Sequence, residues 1–189
     1  MMYLNHNDYS QNIKELKRTI RLFNKNKILI CLHSGTLLGA VRERDFIKSD
    51  NDIDILYVSN KNTLEGVLNE FNTVITPLLI KNGYTIEPQY WSMLEGNPLM
   101  LGQYHIIKNG ITLDLWVGWF DKDDKFYASC CIAGELTKEE ILPLSQVTLH
   151  NSLYNAPKNC DKFLTTIYNT WRIPCSKGLQ ANPYFYKKD

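Results

Sequence analysis

The sequence HSGTLLGAVRERDFIKSDNDIDI at residues 33–55 constrains this chain more than any other stretch. The last residues of this stretch have the alternating pattern of a β-strand. Side chains in a strand alternate between two faces, so Asp52 and Asp54 are expected on one face, with Ile53 and Ile55 in the core behind them. Adjacent carboxylates repel each other unless a cation or a proton lies between them, and Mg²⁺ is commonly held by carboxylates together with substrate phosphates. The pattern predicts a metal and phosphate site in which neither carboxylate belongs to the core.

Ser34, Gly35 and Thr36 lie between a short apolar run, ILICL at residues 28–32, and a helical pattern. The apolar run predicts a buried strand. Backbone N–H groups and hydroxyls at the start of a helix suit a phosphate, whereas an ordinary helix N-cap explains the same residues. The two roles are compatible, and the aspartates that follow favour phosphate binding by this turn.

A third acidic position follows a hairpin signal. Asn109-Gly110 separates two alternating apolar segments, residues 104–108 and 111–120, and this dipeptide favours a tight β-hairpin. In the second arm Asp114 is a single carboxylate between two leucines, in a strand that we expect to neighbour the first aspartate pair. An Asp-x-Asp pattern alone is typical of a solvated strand edge, but with this third acid and the preceding Gly-Thr it favours a functional site.

The rest of the chain carries periodic patterns without repeats or linkers, so we predict a single domain over residues 1–189 with its core at about residues 28–174. The further predicted elements are helices over residues 10–27, 62–81 (kinked or restarted at Pro77) and 161–171, strands over residues 84–90 and 126–130, and a less regular stretch over residues 136–142.

Composition excludes several classes of partner and location. The net charge of +1 gives no broad basic surface, so we expect no nucleic-acid partner. No apolar run approaches the ~20 residues that span a bilayer, and the N-terminal residues lack a signal-peptide pattern, so we predict a cytoplasmic protein without a transmembrane segment. Five cysteines without a CxxC pair indicate buried, reduced thiols rather than a zinc site.

Three stretches together resemble a known family. The sequences GTLLGAVR (residues 35–42), FI (46–47) and DNDIDI (50–55) are similar to the signature of the LicD family, which includes bacterial phosphocholine transferases and is related to fukutin-type ribitol-phosphate transferases. LDLW at residues 113–116 looks like the later aspartate strand of that family. Residues 154–174 look like its closing segment. The resemblance covers roughly residues 31–174.

This resemblance implies an α+β, nucleotidyltransferase-like fold, in which a mixed β-sheet is flanked by helices. It also implies transfer of a phospho-alcohol, such as phosphocholine or a polyol phosphate, from a CDP-linked donor to a glycan hydroxyl, with release of CMP. Such a reaction belongs to polysaccharide biosynthesis. Because the chain is short, an oligomer or a partner subunit is a candidate source of part of the acceptor site.

The resemblance also assigns roles to individual residues. Asp52, Asp54 and Asp114 are the expected ligands of Mg²⁺ or Mn²⁺ and the expected catalytic residues, with Asp114 also placed to take the proton of the acceptor hydroxyl. Apart from the resemblance, Arg42 and Lys48 flank the loop, and their position and charge lead us to expect that they neutralise the donor diphosphate together with the turn at residues 34–36.

Three positions depart from the family pattern. Asn51 stands where another Asp is usual, Lys48 where Pro is frequent, and Asp45 where Gly is usual. By strand parity, Asn51 faces away from Asp52 and Asp54, so we expect metal binding to survive. Lys48 adds a cation that suits a phosphate, which makes the choice of donor less transferable from the family than the fold.

Several alternatives stay open at this stage. Asp50 is either a further metal ligand or a residue that caps the loop, His33 is best interpreted as a hydrogen-bonded structural histidine, and Trp171 is a weak candidate for stacking on a base or sugar. A nucleotidyltransferase that releases pyrophosphate from an NTP would use nearly the same site. A catalytically silent protein that binds nucleotides or sugars is the second alternative.

Overall fold

The computed structural model describes residues 9–48, 50, 52–89, 103–128, 132–168 and 170–173. In these ranges the α-helices are α1 (Ser10–Lys25), α2 (Ser34–Arg42), α3 (Leu64–Glu70), α4 (Thr76–Lys81), α5 (Lys138–Ile141) and α6 (Cys160–Ile167). The strands in the same ranges are β1 (Leu29–Leu32), β2 (Asp54–Val58), β3 (Thr85–Gln89), β4 (Gln103–Lys108), β5 (Ile111–Phe120), β6 (Lys125–Ala128), β7 (Ile132–Thr137), β8 (Ser145–Leu149) and β9 (Ser152–Ala156). The predicted orientation of Asn51 and the end of the predicted strand at residues 129–130 lie outside the described residues. None of the helices in these ranges combines the length and apolar character needed to cross a bilayer.

Strands β1 to β7 form one mixed sheet. Its main path runs β1-β2-β5-β4-β3, and β6 joins β5 to β7. The pairing of β2 with β5 is parallel, whereas the other pairings in this sheet are antiparallel. Helix α1 packs on β1 and β5, α2 on β2, and α4 on β3. The predicted α+β architecture, a mixed sheet flanked by helices, is therefore confirmed.

Strand β2 lies at the centre of the core. All five of its residues are buried between β1 and β5, and Ile53 and Ile55 are fully buried as the alternating pattern predicts. The strand begins at Asp54, so Asp50 and Asp52 precede it, and the expectation that Asp52 lies within this strand is wrong. On the side of β1, pairing stops because β1 ends at Leu32, opposite Ile55, where the chain turns into α2.

The β4–β5 hairpin confirms the turn signal. Asn109 has a φ of 54° and Gly110 a φ of 77°, so both central residues adopt the left-handed conformation of a type I′ turn. Lys108 pairs directly with Ile111 across this turn. The two-residue turn therefore fixes which residues of β4 face which residues of β5.

The helical segment before β3 is interrupted close to Pro77, as predicted. A π-helical turn, Phe71–Ile75, joins α3 to α4, and Pro77 lies in the first turn of α4. Proline has no backbone N–H to donate within a helix, so it interrupts the regular hydrogen-bond pattern at this point. Phe71 and Ile75 remain buried, which keeps both halves of the segment against the core.

The C-terminal helix is shorter than the sequence pattern indicates. Helix α6 ends at Ile167 rather than Trp171, because Tyr168 adopts an extended backbone with φ −129° and ψ 95°. Phe163 and Tyr168 are buried, whereas Trp171 is only partly buried. The N–H of Trp171 donates to the carbonyl of Tyr168, so a turn replaces the expected last helical turn.

The stretch expected to be irregular, residues 136–142, is structured. It contains the end of β7 and the short helix α5, which begins with a capping box between Thr137 and Glu140. Strands β8 and β9 form a second hairpin that packs against α2 and β1. Neither β8 nor β9 was predicted from the sequence, so this part of the architecture is a finding of the structure.

Candidate active site

Three aspartates converge immediately before and at the start of β2. One carboxylate oxygen from each of Asp50, Asp52 and Asp54 lies within 4.8 Å of the others. Asp52 is exposed, Asp50 is partly buried and Asp54 is buried. The group therefore combines a buried carboxylate with two that solvent can reach, and it includes Asp50, for which the sequence left the role open.

Asp54 is held by hydrogen bonds from two neighbouring elements. The N–H of Gly35 in α2 donates to its Oδ2 at 3.1 Å, and Nε1 of Trp116 in β5 donates to its Oδ1 at 2.8 Å. Its own backbone N–H donates to Oγ1 of Thr36 at 2.9 Å. Asp54 is only 4% exposed, so the prediction that its carboxylate lies outside the core is wrong. These protein donors replace water, and that replacement is what permits burial.

The start of α2 is in close contact with the aspartates. A Cβ on Gly35 would collide with a carboxylate oxygen of Asp50 and would lie 3.5 Å from Oδ2 of Asp54. Gly35 and Thr36 bond to Asp54, while Oγ of Ser34 lies 2.6 Å from Nδ1 of His33. Hydrogen bonds from the turn therefore hold Asp54 at the start of β2 in place. A role for Ser34, Gly35 and Thr36 in phosphate binding stays a prediction.

Asp114 lies beside Asp54 on the neighbouring strand. The two residues are direct partners in the parallel pairing of β2 with β5, as expected for a third acid on an adjacent strand. Asp114 is 4% exposed. Nε2 of Gln103 donates a hydrogen bond to its Oδ2, and Nε2 of His105 lies 3.4 Å from its Oδ1. Among the described residues, Asp114 lies outside the group formed by the other three acids.

The acids disturb one another electrostatically. Burial, followed by the charge of Asp52, raises the pKa of Asp114 from its usual 3.8 to about 7, and the hydrogen bond from Gln103 opposes this rise. The pKa of Asp54 is raised well above its usual value by burial and by the charges of its acidic neighbours, with the bond from Trp116 acting in the opposite direction.

The repulsion between these acids fits a divalent cation. Carboxylate oxygens are the ligands that Mg²⁺ and Mn²⁺ favour, and a cation between them would offset the repulsion that, after burial, raises the two pKa values. Asp50, Asp52 and Asp54, in a loop and at the start of β2, are therefore a candidate metal site, and Asp114 lies beside it in the middle of β5.

The two predicted basic residues lie in different surroundings. Arg42, at the end of α2, forms an ion pair with Glu43 at 2.6 Å, and its Nη1 donates to the carbonyl of Trp171 at 3.3 Å. Lys48 is exposed in the loop that leads to Asp50. The contacts of Arg42 join α2 to the segment after α6, so binding of a diphosphate by Arg42 and Lys48 stays a prediction.

His33 is a structural histidine, as expected. It is fully buried, its ring stacks on Trp116 with centroids 5.1 Å apart, and it meets Phe163 edge-on. Burial lowers its pKa to about 3, so the ring is neutral at physiological pH. Its backbone N–H donates to the carbonyl of Asp54, which adds a further connection between α2 and β2.

Sequence reasoning missed Trp116, Gln103 and His105. Trp116 looks like an ordinary core residue in the sequence, yet it contacts Asp54 directly. A signal for His105 was present, because counting back from the two-residue turn at Asn109 places it opposite Asp114. Gln103 precedes His105 by two residues and therefore lies on the same face of β4.

Comparison with known families agrees with this arrangement. A family model described as LicD/FKTN/FKRP, nucleotidyltransferase domain, matches residues 27–159. The matched range includes α2, the acidic loop and the β2–β5 pair, and it spans more than half of the chain. A search of curated proteins finds no match to the chain. The chain belongs to the LicD family, whose nucleotidyltransferase-like domain implies a transferase of phospho-alcohol or nucleotidyl groups.

Proposed function

We propose that this protein transfers a phospho-alcohol, such as phosphocholine or a polyol phosphate, from a CDP-linked donor to a glycan hydroxyl. The single observation that carries this proposal is the pairing of two buried aspartates on parallel strands beside two further acids. Asp54 and Asp114 are direct neighbours in β2 and β5, and Asp50 and Asp52 stand at the same end of β2. Such a concentration of negative charge suits a cation-dependent reaction of phosphates.

Asp52, Asp54 and Asp114 are the proposed ligands of Mg²⁺ or Mn²⁺, and Asp50 is a fourth candidate. A bound divalent cation neutralises charge on the reacting phosphate and on the leaving group. Gly35 and Trp116 hold Asp54 in a fixed orientation through their N–H groups, so the chain presents this carboxylate without rearrangement.

In the proposed reaction the acceptor oxygen attacks the distal phosphorus of the CDP-linked donor. A new bond forms between that oxygen and phosphorus, the bond from phosphorus to the CMP oxygen breaks, and CMP leaves with the electron pair. Asp114 takes the proton of the acceptor hydroxyl. Ser34, Gly35, Thr36, Arg42 and Lys48 are the proposed contacts of the donor phosphates.

A second candidate function has support in the family description itself, which names a nucleotidyltransferase domain. In that reaction the nucleophile attacks the α-phosphorus of an NTP, and pyrophosphate leaves. The same acids would serve both reactions, so the leaving group distinguishes them. Fold alone does not decide between two reactions on one site.

Product analysis tests the proposal directly. The protein is incubated with Mg²⁺ or Mn²⁺, a panel of CDP-alcohols and NTPs, and pooled glycan acceptors, with the Asp52→Asn variant as a matched control. Release of CMP from one CDP-alcohol by the unaltered protein, but not by the variant, is the expected result. Pyrophosphate release from an NTP would overturn the proposal in favour of the second candidate.

Metal-dependent binding of a nucleotide without either product would support the third alternative, a catalytically silent binding protein. A cytoplasmic location and a partner subunit or oligomer that completes the acceptor site stay predictions. Adding EDTA to the active mixture is expected to stop product formation, and Mg²⁺ or Mn²⁺ is expected to restore it.

A further inference from the structure

Two side chains of β4 contact the two oxygens of the Asp114 carboxylate. Nε2 of Gln103 donates to Oδ2, and Nε2 of His105 lies 3.4 Å from Oδ1. Gln103 and His105 are two residues apart in one strand, so they share a face, and His105 is the direct partner of Asp114 across the hairpin. Both oxygens of this carboxylate are therefore in contact with nitrogen atoms from a single neighbouring strand.

The surroundings of these contacts favour an orienting role. Asp114 is 4% exposed and Gln103 6%, so water competes little for the bond between them. A hydrogen bond shielded from water is stronger electrostatically than an exposed one and fixes the geometry of its partners. The side chain of His105 is 20% exposed, which places it between the buried carboxylate and solvent.

We propose that Gln103 and His105 are positioning residues, which orient the carboxylate of Asp114 so that it can act together with Asp52 and Asp54. This inference rests on the proposed function, because it assumes that Asp114 is a ligand of the divalent cation. Outer groups that hydrogen-bond to metal ligands orient them, and removal of such a group typically weakens metal binding or activity by about 10–100-fold.

The test measures Mn²⁺ binding by calorimetry in the absence of any substrate. Gln103→Met keeps the length of the side chain but removes its N–H donors, and His105→Ala removes the ring. Each is expected to weaken Mn²⁺ binding by about 10–100-fold. Ile107→Val is the matched control, because Ile107 lies on the same face of β4 and pairs with Thr112 rather than Asp114. We expect this control to bind Mn²⁺ like the unaltered protein.

His105→Gln separates positioning from simple packing. Glutamine retains a nitrogen donor near the place of Nε2 but lacks the ring, so we expect it to restore most of the Mn²⁺ affinity lost in His105→Ala. If His105 only fills space, the two variants bind Mn²⁺ equally and differ from the unaltered protein only in thermal stability. If Gln103→Met does not fold, the comparison of the two His105 variants decides alone.

Mn²⁺ affinities of Gln103→Met and His105→Ala that equal the affinity of the unaltered protein overturn the inference. Metal binding that responds as expected, in a protein that releases no CMP from any CDP-alcohol, overturns the proposed function and leaves the positioning role supported. Absence of Mn²⁺ binding to the unaltered protein overturns both the metal site and the positioning role.

Discussion

Asp52 and Asp54 are two residues apart in the sequence but occupy different surroundings. Asp52 is exposed, whereas Asp54 is buried and accepts hydrogen bonds from Gly35 and Trp116. The alternating pattern correctly predicts that they lie on the same side of the chain, near each other. It cannot predict the burial of Asp54, because both groups that bond to its carboxylate come from other elements.

Asp52→Asn is the cleanest test of the acidic site. We expect it to abolish turnover while changing the free energy of unfolding by no more than about 0.5 kcal/mol, because substitutions of exposed residues seldom cost more. Product formation and denaturant unfolding measure the two effects. Full turnover in this variant would contradict a metal site that includes Asp52.

Gly35→Ala tests the close approach of α2 to the acids. Helix propensity alone predicts that alanine stabilises a helical position by roughly 0.5–1 kcal/mol over glycine. Here a Cβ would collide with the carboxylate of Asp50, so we expect weaker Mn²⁺ binding and lower stability. Calorimetry and thermal unfolding provide the two measurements. A variant that is more stable and retains its Mn²⁺ affinity would show that Asp50 can move away at no cost.

At the scale of elements, the site depends on a direct connection between α2 and β2. Thr36→Val removes the oxygen that accepts the backbone N–H of Asp54 and leaves that buried N–H without this partner. We expect a loss of about 1–3 kcal/mol in the free energy of unfolding, measured with denaturant. Thr36→Ser retains the oxygen, and we expect it to lose less. Because valine keeps the γ-methyl group and lacks only the oxygen, a loss in Thr36→Val that is smaller than the loss in Thr36→Ser would contradict the role of this hydrogen bond.

The elements that sequence reasoning predicted are those with a strong local signal. Asn109-Gly110 identified the β4–β5 hairpin, and the Pro77 position identified the break between α3 and α4. The β8–β9 hairpin lacks such a signal, because His150 and Asn151 take the positive φ values, 43° and 59°, that glycine usually supplies. Its pairing also depends on packing against α2 and β1, which no local pattern reveals.

For the whole molecule, the acidic site links stability to pH. The pKa of Asp114 is raised from 3.8 to about 7 in the folded protein, so between these values the folded state binds a proton that the unfolded state does not. The contribution of this group to stability is fully present below pH 3.8 and is lost as the pH rises through about 7. We expect the metal-free protein to lose stability over this range from this group, and Asp114→Asn to reduce the loss.

Divalent cations are expected to stabilise the folded protein more as the pH rises, which opposes the loss of stability from Asp114. Protons and Mn²⁺ compete for the same carboxylates, so Mn²⁺ should raise the melting temperature more at pH 8 than at pH 5.5. Thermal unfolding with EDTA or Mn²⁺ at both pH values measures this difference. A Mn²⁺ effect that is independent of pH would indicate binding away from the buried acids.

Because the turn of the β4–β5 hairpin is tight, the site requires a fixed number of residues between His105 and Asp114. His105 faces Asp114 only because a fixed number of residues separates each of them from Asn109 and Gly110. One residue gained or lost within β4 would reverse its faces and bring Tyr104 or Ile106 opposite Asp114. We therefore expect the segment between His105 and Asp114 to accept no single-residue insertion or deletion, so its length is constrained as well as its buried side chains.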